Sequence, residues 1–425
     1  MLNDNIATPF AKPLYVMLKP AGAHCNLDCK YCYYLEKNNL YNTSPRHLMT
    51  DEMLEQFTRE YIEAQTMNQV LFTWHGGEPL MRSIDFYKKA LELQKKYAHG
   101  KQIDNVIQTN GTLLTDEWCE FFAQNHFLVG ISIDGPQEYH DHYRQTSAGK
   151  PSWEKVMHGI SLLKKHRVEW NAMAVVNAYN AEHPLEFYHF FRDNGCQYLQ
   201  FTPIVERLTE HEDGRTLASL ADVSHEDNYE DVGNAKKQKE NQKITIADFS
   251  VTPEQWGKFL CTIFDDWVRH DVGKIFVEIF DCTLANWIGV QPGICAYSKE
   301  CGHAGVMEHN GDVFSCDHFV FPEYKLGNIQ DKSLIDMLYG EKQQAFSRLK
   351  HTSLPRQCKE CAMEFACHGE CPKNRFDRDK YGEPGLNYLC KGYYEYYTHV
   401  APYMDFMKRE LQTQRPPANI MNVLK

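Results

Sequence analysis

The sequence lacks the long apolar run that a membrane-spanning helix requires. No apolar stretch approaches ~18 residues. The first residues, Met-Leu-Asn-Asp-Asn, show no basic segment followed by an apolar one, so we expect no signal peptide and a cytoplasmic location. Basic residues are fewer than acidic ones: the chain has 45 Lys and Arg and 57 Asp and Glu, which gives a formal charge of −12. This acidic balance argues against nucleic acid or an anionic membrane as the main partner.

The chain also contains no P-loop and no Gly-x-Gly-x-x-Gly dinucleotide fingerprint. Cysteine, in contrast, is abundant, with 15 residues among 425. Structural disulfides are rare in a reducing compartment, so clustered cysteines are expected to be metal ligands or catalytic groups. The apolar fraction of 43% is that of an ordinary globular protein, and the length predicts two or three domains.

The first half of the chain alternates short strand patterns with amphipathic helix patterns. Strands are predicted at residues 15–18, 70–74, 105–108, 128–133, 171–176 and 198–201. Helices are predicted to begin at the N-cap candidates Thr50, Ser83, Thr115 and Ser152, with a fifth at residues 184–192. This alternation predicts a parallel sheet with right-handed crossovers, and it fits a doubly wound sheet and a partial barrel equally well.

The second half has a different composition. Residues 207–243 are charge-dense and predict a long insertion or loop, and a helix is predicted at residues 253–268. Residues 295–390 are rich in cysteine and broken by Gly and Pro, as in a small domain held together by metal sites. A Tyr-rich helix is predicted to follow and to end near residue 414.

Three cysteines come directly after the first predicted strand. Cys25, Cys29 and Cys32 form C-x3-C-x2-C, with the aromatic Tyr31 before the third thiol. Three thiolates at this spacing can hold three corners of a cubane iron–sulfur cluster and leave one iron open to another ligand. A zinc site or three ordinary loop cysteines are the alternatives, although zinc ligands usually recur as two C-x2-C pairs.

This motif resembles that of the radical S-adenosylmethionine (SAM) superfamily. The segment His75-Gly76-Gly77-Glu78-Pro79 follows the second predicted strand and resembles the GGE motif of that superfamily, which receives the amino group of SAM. The chemistry is consistent, because glycines allow a close approach and a carboxylate pairs with an ammonium group. Taken alone, Gly-Gly-Glu-Pro would be a simple turn.

The resemblance implies a complete SAM site in a partial (β/α)6 barrel, with the cluster at the C-terminal ends of the strands. Tyr31, Gly76, Gly77 and Glu78 would bind the cofactor, and less specific matches add three residues. Ser132 takes a strand-end position that contacts SAM in relatives, and Arg144 resembles the arginine that meets the SAM carboxylate, with a solvated loop arginine as the alternative. Val205 resembles the apolar residue beside the adenine.

A second set of eight cysteines lies in the last third of the chain: Cys295, Cys301, Cys316, Cys358, Cys361, Cys367, Cys371 and Cys390. Eight thiolates are enough for two four-thiolate sites, and zinc and iron–sulfur clusters both fit the C-x2-C spacing. The longer pattern, G-x4-C…C-x2-C-x5-C-x3-C…C, resembles the SPASM extension of peptide-modifying radical SAM enzymes, which carries two auxiliary [4Fe–4S] clusters.

The SPASM resemblance also implies how these cysteines divide. Cys295, Cys301, Cys316 and Cys371 would hold the nearer cluster, and Cys358, Cys361, Cys367 and Cys390 the outer one. Three other cysteines, Cys119, Cys196 and Cys261, lie in apolar contexts typical of buried structural thiols, and no role is predicted for Cys282.

From about Lys12 to Cys390 the chain resembles the anaerobic sulfatase-maturating enzymes. These oxidise a Cys or Ser of an unfolded or nascent sulfatase polypeptide to Cα-formylglycine. The resemblance implies three [4Fe–4S] clusters, conversion of SAM to methionine and 5′-deoxyadenosine, and an electron donor such as flavodoxin or ferredoxin. Asp317 would be the catalytic base, with a turn carboxylate as the alternative, and burial beside a cluster is expected to raise its pKa. His75 would touch substrate, in a position where some family members have Gln, so the preference between Cys and Ser stays open.

Two other functions compete with this interpretation. Many other SPASM peptide modifiers, such as thioether-forming or quinone-cofactor maturases, carry an N-terminal peptide-recognition domain, and the 24 residues before Cys25 are too few to form one, which favours the sulfatase interpretation. A non-enzymatic zinc or electron-transfer protein leaves the Gly-Gly-Glu-Pro segment unexplained. The predicted domains are a radical SAM barrel (1–235), a linker with a helix (236–290), a SPASM domain (291–395), and a C-terminal helix and tail (396–425).

Overall fold

The structure is a computed structural model that describes residues 13–34, 37, 48–211, 214–217, 244–302 and 304–424. Its strands are β1 (Tyr15–Leu18), β2 (Gln69–Trp74), β3 (Gln102–Thr109), β4 (Leu128–Ser132), β5 (Trp170–Val176), β6 (Tyr198–Pro203), β7 (Arg207–His211), β8 (Gly214–Leu217), β9 (Ile244–Ile246), β10 (Phe276–Val277), β11 (Ala304–Met307), β12 (Asp312–Phe314), β13 (Lys325–Asn328), β14 (Asp377–Arg378) and β15 (Pro384–Leu386).

The α-helices are α1 (Asp51–Ala64), α2 (Ile84–Tyr97), α3 (Asp116–Gln124), α4 (Gln137–Tyr143), α5 (Trp153–His166), α6 (Pro184–Asp193), α7 (Pro253–His270), α8 (Glu278–Ile288), α9 (Leu334–Leu338), α10 (Glu341–Thr352), α11 (Arg356–Lys359), α12 (Glu364–Cys367), α13 (Cys390–Gln412) and α14 (Ile420–Val423). Among the helices of the described residues, none is both long and apolar enough to cross a membrane.

All six predicted strands of the first half form, and the five predicted helices lie between or beside them. The caps explain where two helices begin. The Thr50 hydroxyl accepts from Met53 N at 3.2 Å, and the Thr115 hydroxyl accepts from Trp118 N at 3.3 Å. Ser152 precedes its helix as predicted, but its hydroxyl donates to the Arg144 carbonyl at 2.7 Å instead of capping. The position of the elements was therefore predictable even where the cap chemistry was not.

The chain divides into two compact units. The first comprises residues 1–132, 141–170 and 302–347, and the second comprises residues 133–140, 171–301 and 348–425. In the first unit β1 pairs in parallel with β2 and with β11, and the parallel pairing continues through β3 to β4. Antiparallel β12 and β13 extend the sheet beyond β11. Because parallel strands share one carboxyl edge, the loops that follow β1, β2 and β3 lie at the same end of this unit.

Aromatic side chains dominate the core of the first unit. Trp74 on β2 is fully buried, and its indole N–H donates to the Asn105 side chain on β3 at 2.9 Å. Phe72 packs edge-on against Tyr61 of α1, with ring centroids 5.2 Å apart. Burial of these large side chains supplies most of the free energy that holds the helices on the sheet.

In the second unit β5 and β6 pair in parallel, and the short β10 adds to β6. The predicted helix at residues 253–268 is α7, which begins with a capping box between Thr252 and Gln255. It packs closely on α13, since a Cβ on Gly392 would lie only 2.2 Å from the Pro253 carbonyl oxygen. The predicted Tyr-rich helix is α13, which ends at Gln412.

Part of the predicted loop at residues 207–243 is a small sheet. Strand β7 pairs antiparallel with β8 and with β9, with Leu208 opposite Leu217 and Thr209 opposite Thr216. The prediction was wrong for β7 and β8 because a ladder is made by backbone hydrogen bonds and does not need an apolar face. Residues 212–213 and 218–243 lie outside the described residues.

Candidate active site

The three cysteines after β1 lie on one loop of the first unit. Leu27 N donates to the Cys25 sulfur at 3.4 Å, and the Asn110 side-chain amide approaches the same sulfur at 3.7 Å. Burial, the Glu78 carboxylate and the neighbouring Cys29 and Cys32 raise the pKa of Cys25 to about 12. Three thiols on one loop, with N–H donors aimed at the Cys25 sulfur, suit a metal group that binds them as thiolates. The residues present therefore fit an iron–sulfur cluster.

The Gly-Gly-Glu segment contacts the backbone that leads into the cysteine loop. Gly77 N donates to the Gly22 carbonyl and Glu78 N to the His24 carbonyl, both at 2.8 Å. A Cβ on Gly77 would lie 2.3 Å from the His24 carbonyl oxygen, and Gly76 has φ +129°. Only glycine fits such an approach, so the two motifs are built against each other.

The Glu78 carboxylate is completely buried and held by three donors. Oε1 accepts from Leu80 N at 2.8 Å and from the Thr109 hydroxyl at 2.7 Å, and Oε2 accepts from Asn110 N at 2.7 Å. Burial raises the pKa of Glu78 to about 7, although the three hydrogen bonds oppose that shift. This carboxylate is fixed in orientation, and its Oε2 retains lone pairs for a ligand cation.

The less specific predicted contacts have different surroundings. The Ser132 hydroxyl at the end of β4 accepts from the Gln108 side chain at 2.9 Å. Arg144 is 8% exposed, and its guanidinium carbon lies 5.5 Å from the centroid of the Tyr31 ring. The alternative of a solvated loop arginine is therefore wrong. Val205 is buried and belongs to the second unit.

Asp317 is anchored by two residues that the sequence did not single out. Lys19 Nζ lies 2.5 Å from Asp317 Oδ1, and the Tyr33 hydroxyl donates to Asp317 Oδ2 at 2.6 Å. Lys19 follows β1, and Asp317 begins a short 3-10 turn after β12. The Lys19 side chain is 0% exposed and that of Asp317 16%. A carboxylate with a buried cation on one oxygen and a phenol on the other has a fixed direction.

The predicted rise in the Asp317 pKa is wrong for this arrangement. Burial does push the pKa upward, but the charge of Lys19, with smaller contributions from His75 and His318, outweighs it. The pKa of the carboxyl group consequently lies well below its usual range. Burial and Asp317 together raise the pKa of Tyr33, so this phenol remains a hydrogen-bond donor.

His75 joins the Gly-Gly-Glu segment to the Asp317 group. Its Nδ1 accepts from Gly76 N at 2.8 Å and lies 3.2 Å from Lys19 Nζ. Burial, followed by the charge of Lys19, lowers the pKa of His75 to about 3, so the ring is neutral. Because Nδ1 is the acceptor, the proton is on Nε2, which makes His75 a donor toward any other group.

The second unit contains seven of the eight remaining predicted ligands, and they form two groups. Burial is the main cause that raises the pKa of the Cys371 thiol, followed by Glu370 and then by the neighbouring Cys301 and Cys295. Burial, followed by the neighbouring Cys358 and Cys361, raises the pKa of Cys390 to about 12. Cys367 is influenced by Cys390 and Cys358. The eighth, Cys316, precedes Asp317 in the first unit.

The four cysteines without a predicted metal role have ordinary environments. Cys119, Cys196 and Cys282 are buried, with exposures of 0%, 1% and 5%, and Cys261 is partly buried. The signal that would have found Lys19 is its place at the end of a buried strand, where a charged residue needs a partner. For Tyr33, the signal in the sequence is its position next to Cys32.

Comparison with known proteins finds two family matches, one for each of the two cysteine-containing parts of the chain. Residues 20–191 match the family model of the radical SAM superfamily, and residues 300–362 match that of the SPASM iron–sulfur cluster-binding domain. The chain is 67% identical over 417 residues to the serine-type anaerobic sulfatase-maturating enzyme of Bacteroides thetaiotaomicron, which covers 98% of this chain and 96% of that protein.

A more distant relative and a solved structure are also similar to this chain over most of its length. The cysteine-type anaerobic sulfatase-maturating enzyme of Clostridium perfringens is 30% identical over 393 residues, covering 92% of this chain and 97% of that enzyme. The solved structure described as native anSMEcpe with bound AdoMet and Cp18Cys peptide superposes with a TM-score of 0.78 at 29% identity. That match covers 94% of this chain and all of the other.

Proposed function

Because the chain belongs to the anaerobic sulfatase-maturating enzymes, radical SAM enzymes with a SPASM domain, we propose that it is a serine-type member whose active site is built around Asp317. The enzyme oxidises a side chain of a sulfatase polypeptide to Cα-formylglycine, converting SAM to methionine and 5′-deoxyadenosine. The predicted family, the partial (β/α)6 fold with a SPASM domain, and the SAM and iron–sulfur cofactors are confirmed by the comparisons.

The preference for serine is supported by the degree of similarity. Identity is 67% to the serine-type enzyme and 30% to the cysteine-type enzyme, each over more than nine-tenths of this chain. The test uses two peptides that differ only in the target residue, Ser-x-Pro-x-Arg and Cys-x-Pro-x-Arg, with SAM and a reductant. We expect faster loss of two hydrogens from the serine peptide; equal or faster conversion of the cysteine peptide would contradict the assignment.

The SAM site occupies the loops after β1 and β2 in this proposal. When bound there, the cluster and SAM would supply the 5′-deoxyadenosyl radical chemistry that removes a hydrogen atom from the substrate Cβ. Cys25, Cys29 and Cys32 hold the cluster, while Gly76, Gly77 and Glu78 receive the SAM ammonium group. Tyr31, Ser132, Arg144 and Val205 complete the contacts, the guanidinium of Arg144 pairing with the SAM carboxylate.

Asp317 takes the hydroxyl proton of the substrate. The supporting observation is its ion pair with Lys19, which also contacts His75 beside the Gly-Gly-Glu segment and so joins the carboxylate to the SAM site within one unit. Lys19 and Tyr33 fix the direction of the carboxylate. A neutral His75, with its proton on Nε2, is suited to donate a hydrogen bond to the substrate.

The auxiliary clusters, when bound, would supply an acceptor for the remaining electron. We assign Cys295, Cys301, Cys316 and Cys371 to the nearer cluster and Cys358, Cys361, Cys367 and Cys390 to the outer one. A flavodoxin or ferredoxin in the cytoplasm is the proposed source of the electron that starts the reaction. Limited proteolysis would test the proposed domain limits of 1–235, 236–290, 291–395 and 396–425 through cleavage near residues 235 and 290.

The decisive experiment on Asp317 separates SAM cleavage from product formation. Asp317→Asn should still form 5′-deoxyadenosine but should yield ~100-fold less formylglycine, the usual contribution of a general base. The matched control is Asp85→Asn on the exposed surface of α2, where the side chain is 86% exposed. Full formylglycine formation by Asp317→Asn would remove this residue as the base.

A further inference from the structure

Two buried cations lie among the cysteines of the second unit. Lys350 at the end of α10 is 0% exposed, and Arg375, after the Cys371 ligand, is 3% exposed. The Lys350 ammonium donates to the carbonyls of Cys295, Ala296 and Ser298, the Ala296 bond being 2.6 Å. These bonds use all three ammonium protons on neutral acceptors. The charge is therefore held in place without a carboxylate on the ammonium itself.

Arg375 holds an unusual turn between two predicted ligands. His368, Gly369 and Glu370, which separate Cys367 from Cys371, all have positive φ, at 48°, 67° and 53°. Such a conformation costs a non-glycine residue ~1–2 kcal/mol. The guanidinium donates to all three carbonyls, at 2.7 Å to His368, 2.8 Å to Gly369 and 3.0 Å to Glu370.

The two cations face different cysteines. Burial lowers the pKa of Lys350, and the neighbouring Cys301, Cys295 and Cys371 oppose that shift. Burial also lowers the pKa of Arg375, and there Cys367, Cys371 and Cys358 oppose it. Lys350 thus lies among ligands assigned to the nearer cluster, and Arg375 between those of both clusters. The buried Glu370 accepts from the Asn387 side chain at 2.9 Å. Even when Glu370 is ionised, these two cations outnumber it.

We propose that Lys350 and Arg375 are fixed counter-cations of the auxiliary clusters and make these clusters better electron acceptors. The inference rests on the ligand sets given under the proposed function. A four-thiolate cluster gains one negative charge on reduction, and a nearby cation buried away from water stabilises that charge more than a solvated one does. The electron comes from the substrate carbon radical: its C–O bond becomes the carbonyl, the hydroxyl proton goes to Asp317, and one electron goes to a cluster.

The test measures reduction potentials in a variant that retains only the auxiliary clusters, with Cys25, Cys29 and Cys32 all replaced by Ala. Iron per chain and the electron paramagnetic resonance signal are followed in an anaerobic redox titration. In this background we expect Lys350→Met and Arg375→Met to lower the ratio of reduced to oxidised cluster ~tenfold at a fixed potential, which corresponds to ~59 mV for one electron.

Charge-conserving and surface variants serve as controls. Lys350→Arg and Arg375→Lys should keep the parental potentials. Lys359→Met removes an exposed cation between Cys358 and Cys361, and solvent screening should leave the potentials nearly unchanged. Unshifted potentials in both buried-site Met variants would overturn the inference while leaving the ligand sets intact. An iron-free background variant would instead overturn the ligand sets of the proposed function.

Loss of a cation can also prevent cluster loading. If the Met variants contain no iron, Lys350→Gln and Arg375→Gln, which keep a hydrogen bond to the carbonyls without the charge, are compared with Lys350→Arg and Arg375→Lys. Iron recovered only by the charged variants supports the counter-cation role. Iron recovered equally by the Gln variants, at parental potentials, shows a purely structural role and overturns the proposal.

Discussion

Replacing Lys19 by Met should destabilise the first unit strongly. The Lys19 side chain is 0% exposed, and its ammonium lies 2.5 Å from Asp317 Oδ1 and 4.0 Å from the centroid of the Tyr34 ring. Met has a similar length and fills the space, but it leaves the Asp317 carboxylate without its cation. Breaking a buried ion pair in this way costs ~3–5 kcal/mol. With a urea dependence of ~3 kcal/mol per M, the unfolding midpoint falls by ~1 M or more.

The assay is anaerobic urea unfolding followed by tryptophan fluorescence, with Trp74 as a buried reporter in the same unit. Asp317→Asn added to Lys19→Met removes the stranded charge, so we expect the double variant to regain much of the lost stability. Lys88→Met is the matched control. Its partner Asp85 is 3.3 Å away, and the two side chains are 56% and 86% exposed, so its loss should cost at most ~1 kcal/mol.

Two results would refute this reasoning. One is a Lys19→Met midpoint no lower than that of Lys88→Met. The other is that the losses of unfolding free energy caused by Lys19→Met and Asp317→Asn simply add in the double variant. Effects at independent sites add, whereas those of a coupled pair do not. Lys19→Met should also keep SAM cleavage while formylglycine falls ~100-fold, since the base loses the group that orients it. Product formation at the parental rate would remove Lys19 from the catalytic arrangement.

Three further expectations concern the SAM site. Gly77→Ala should lower the iron content of the first cluster, because its Cβ would lie 2.3 Å from the His24 carbonyl; Gly293→Ala, where a Cβ meets no atom within 4 Å, should not. Cys29→Ala should abolish SAM cleavage yet retain the ~8 irons of two auxiliary clusters, and undiminished cleavage would contradict the ligand assignment. Because the Glu78 pKa is about 7, the carboxylate gains charge as the pH rises from 6 to 8. SAM binding should tighten up to ~tenfold over that range and the dependence should vanish in Glu78→Gln, as measured by equilibrium dialysis.

Spacing along the chain indicated a thiolate site at the three cysteines after β1, whereas the role predicted for the glycines after β2 came from the family resemblance. The three cysteines after β1 and the glycines after β2 each lie within one loop, where the backbone itself sets the distances. The same logic predicted the strands, because alternating short apolar segments have few other ways to bury their faces. Predictions of this kind needed no knowledge of the tertiary structure.

The contacts that orient Asp317 could not be predicted in this way. Lys19 and Asp317 belong to distant segments that meet because β11 pairs with β1 and β12, which pairs with β11, leads directly into the turn that contains Asp317. Against the effect of burial, that ammonium group is the main one of several that lower the pKa of Asp317. The role of Arg375 could not be predicted either. It follows from the positive φ of His368, Gly369 and Glu370, and only one of these three residues is a glycine that could have indicated such a conformation.

The pairing of β1 with β11 has a consequence for synthesis on the ribosome. The strand that covers one edge of β1, Ala304–Met307, is made long after β1 itself. At 5–20 residues per second, that edge stays open for on the order of half a minute. An open edge can pair with another chain, so chains truncated before Ala304 should aggregate.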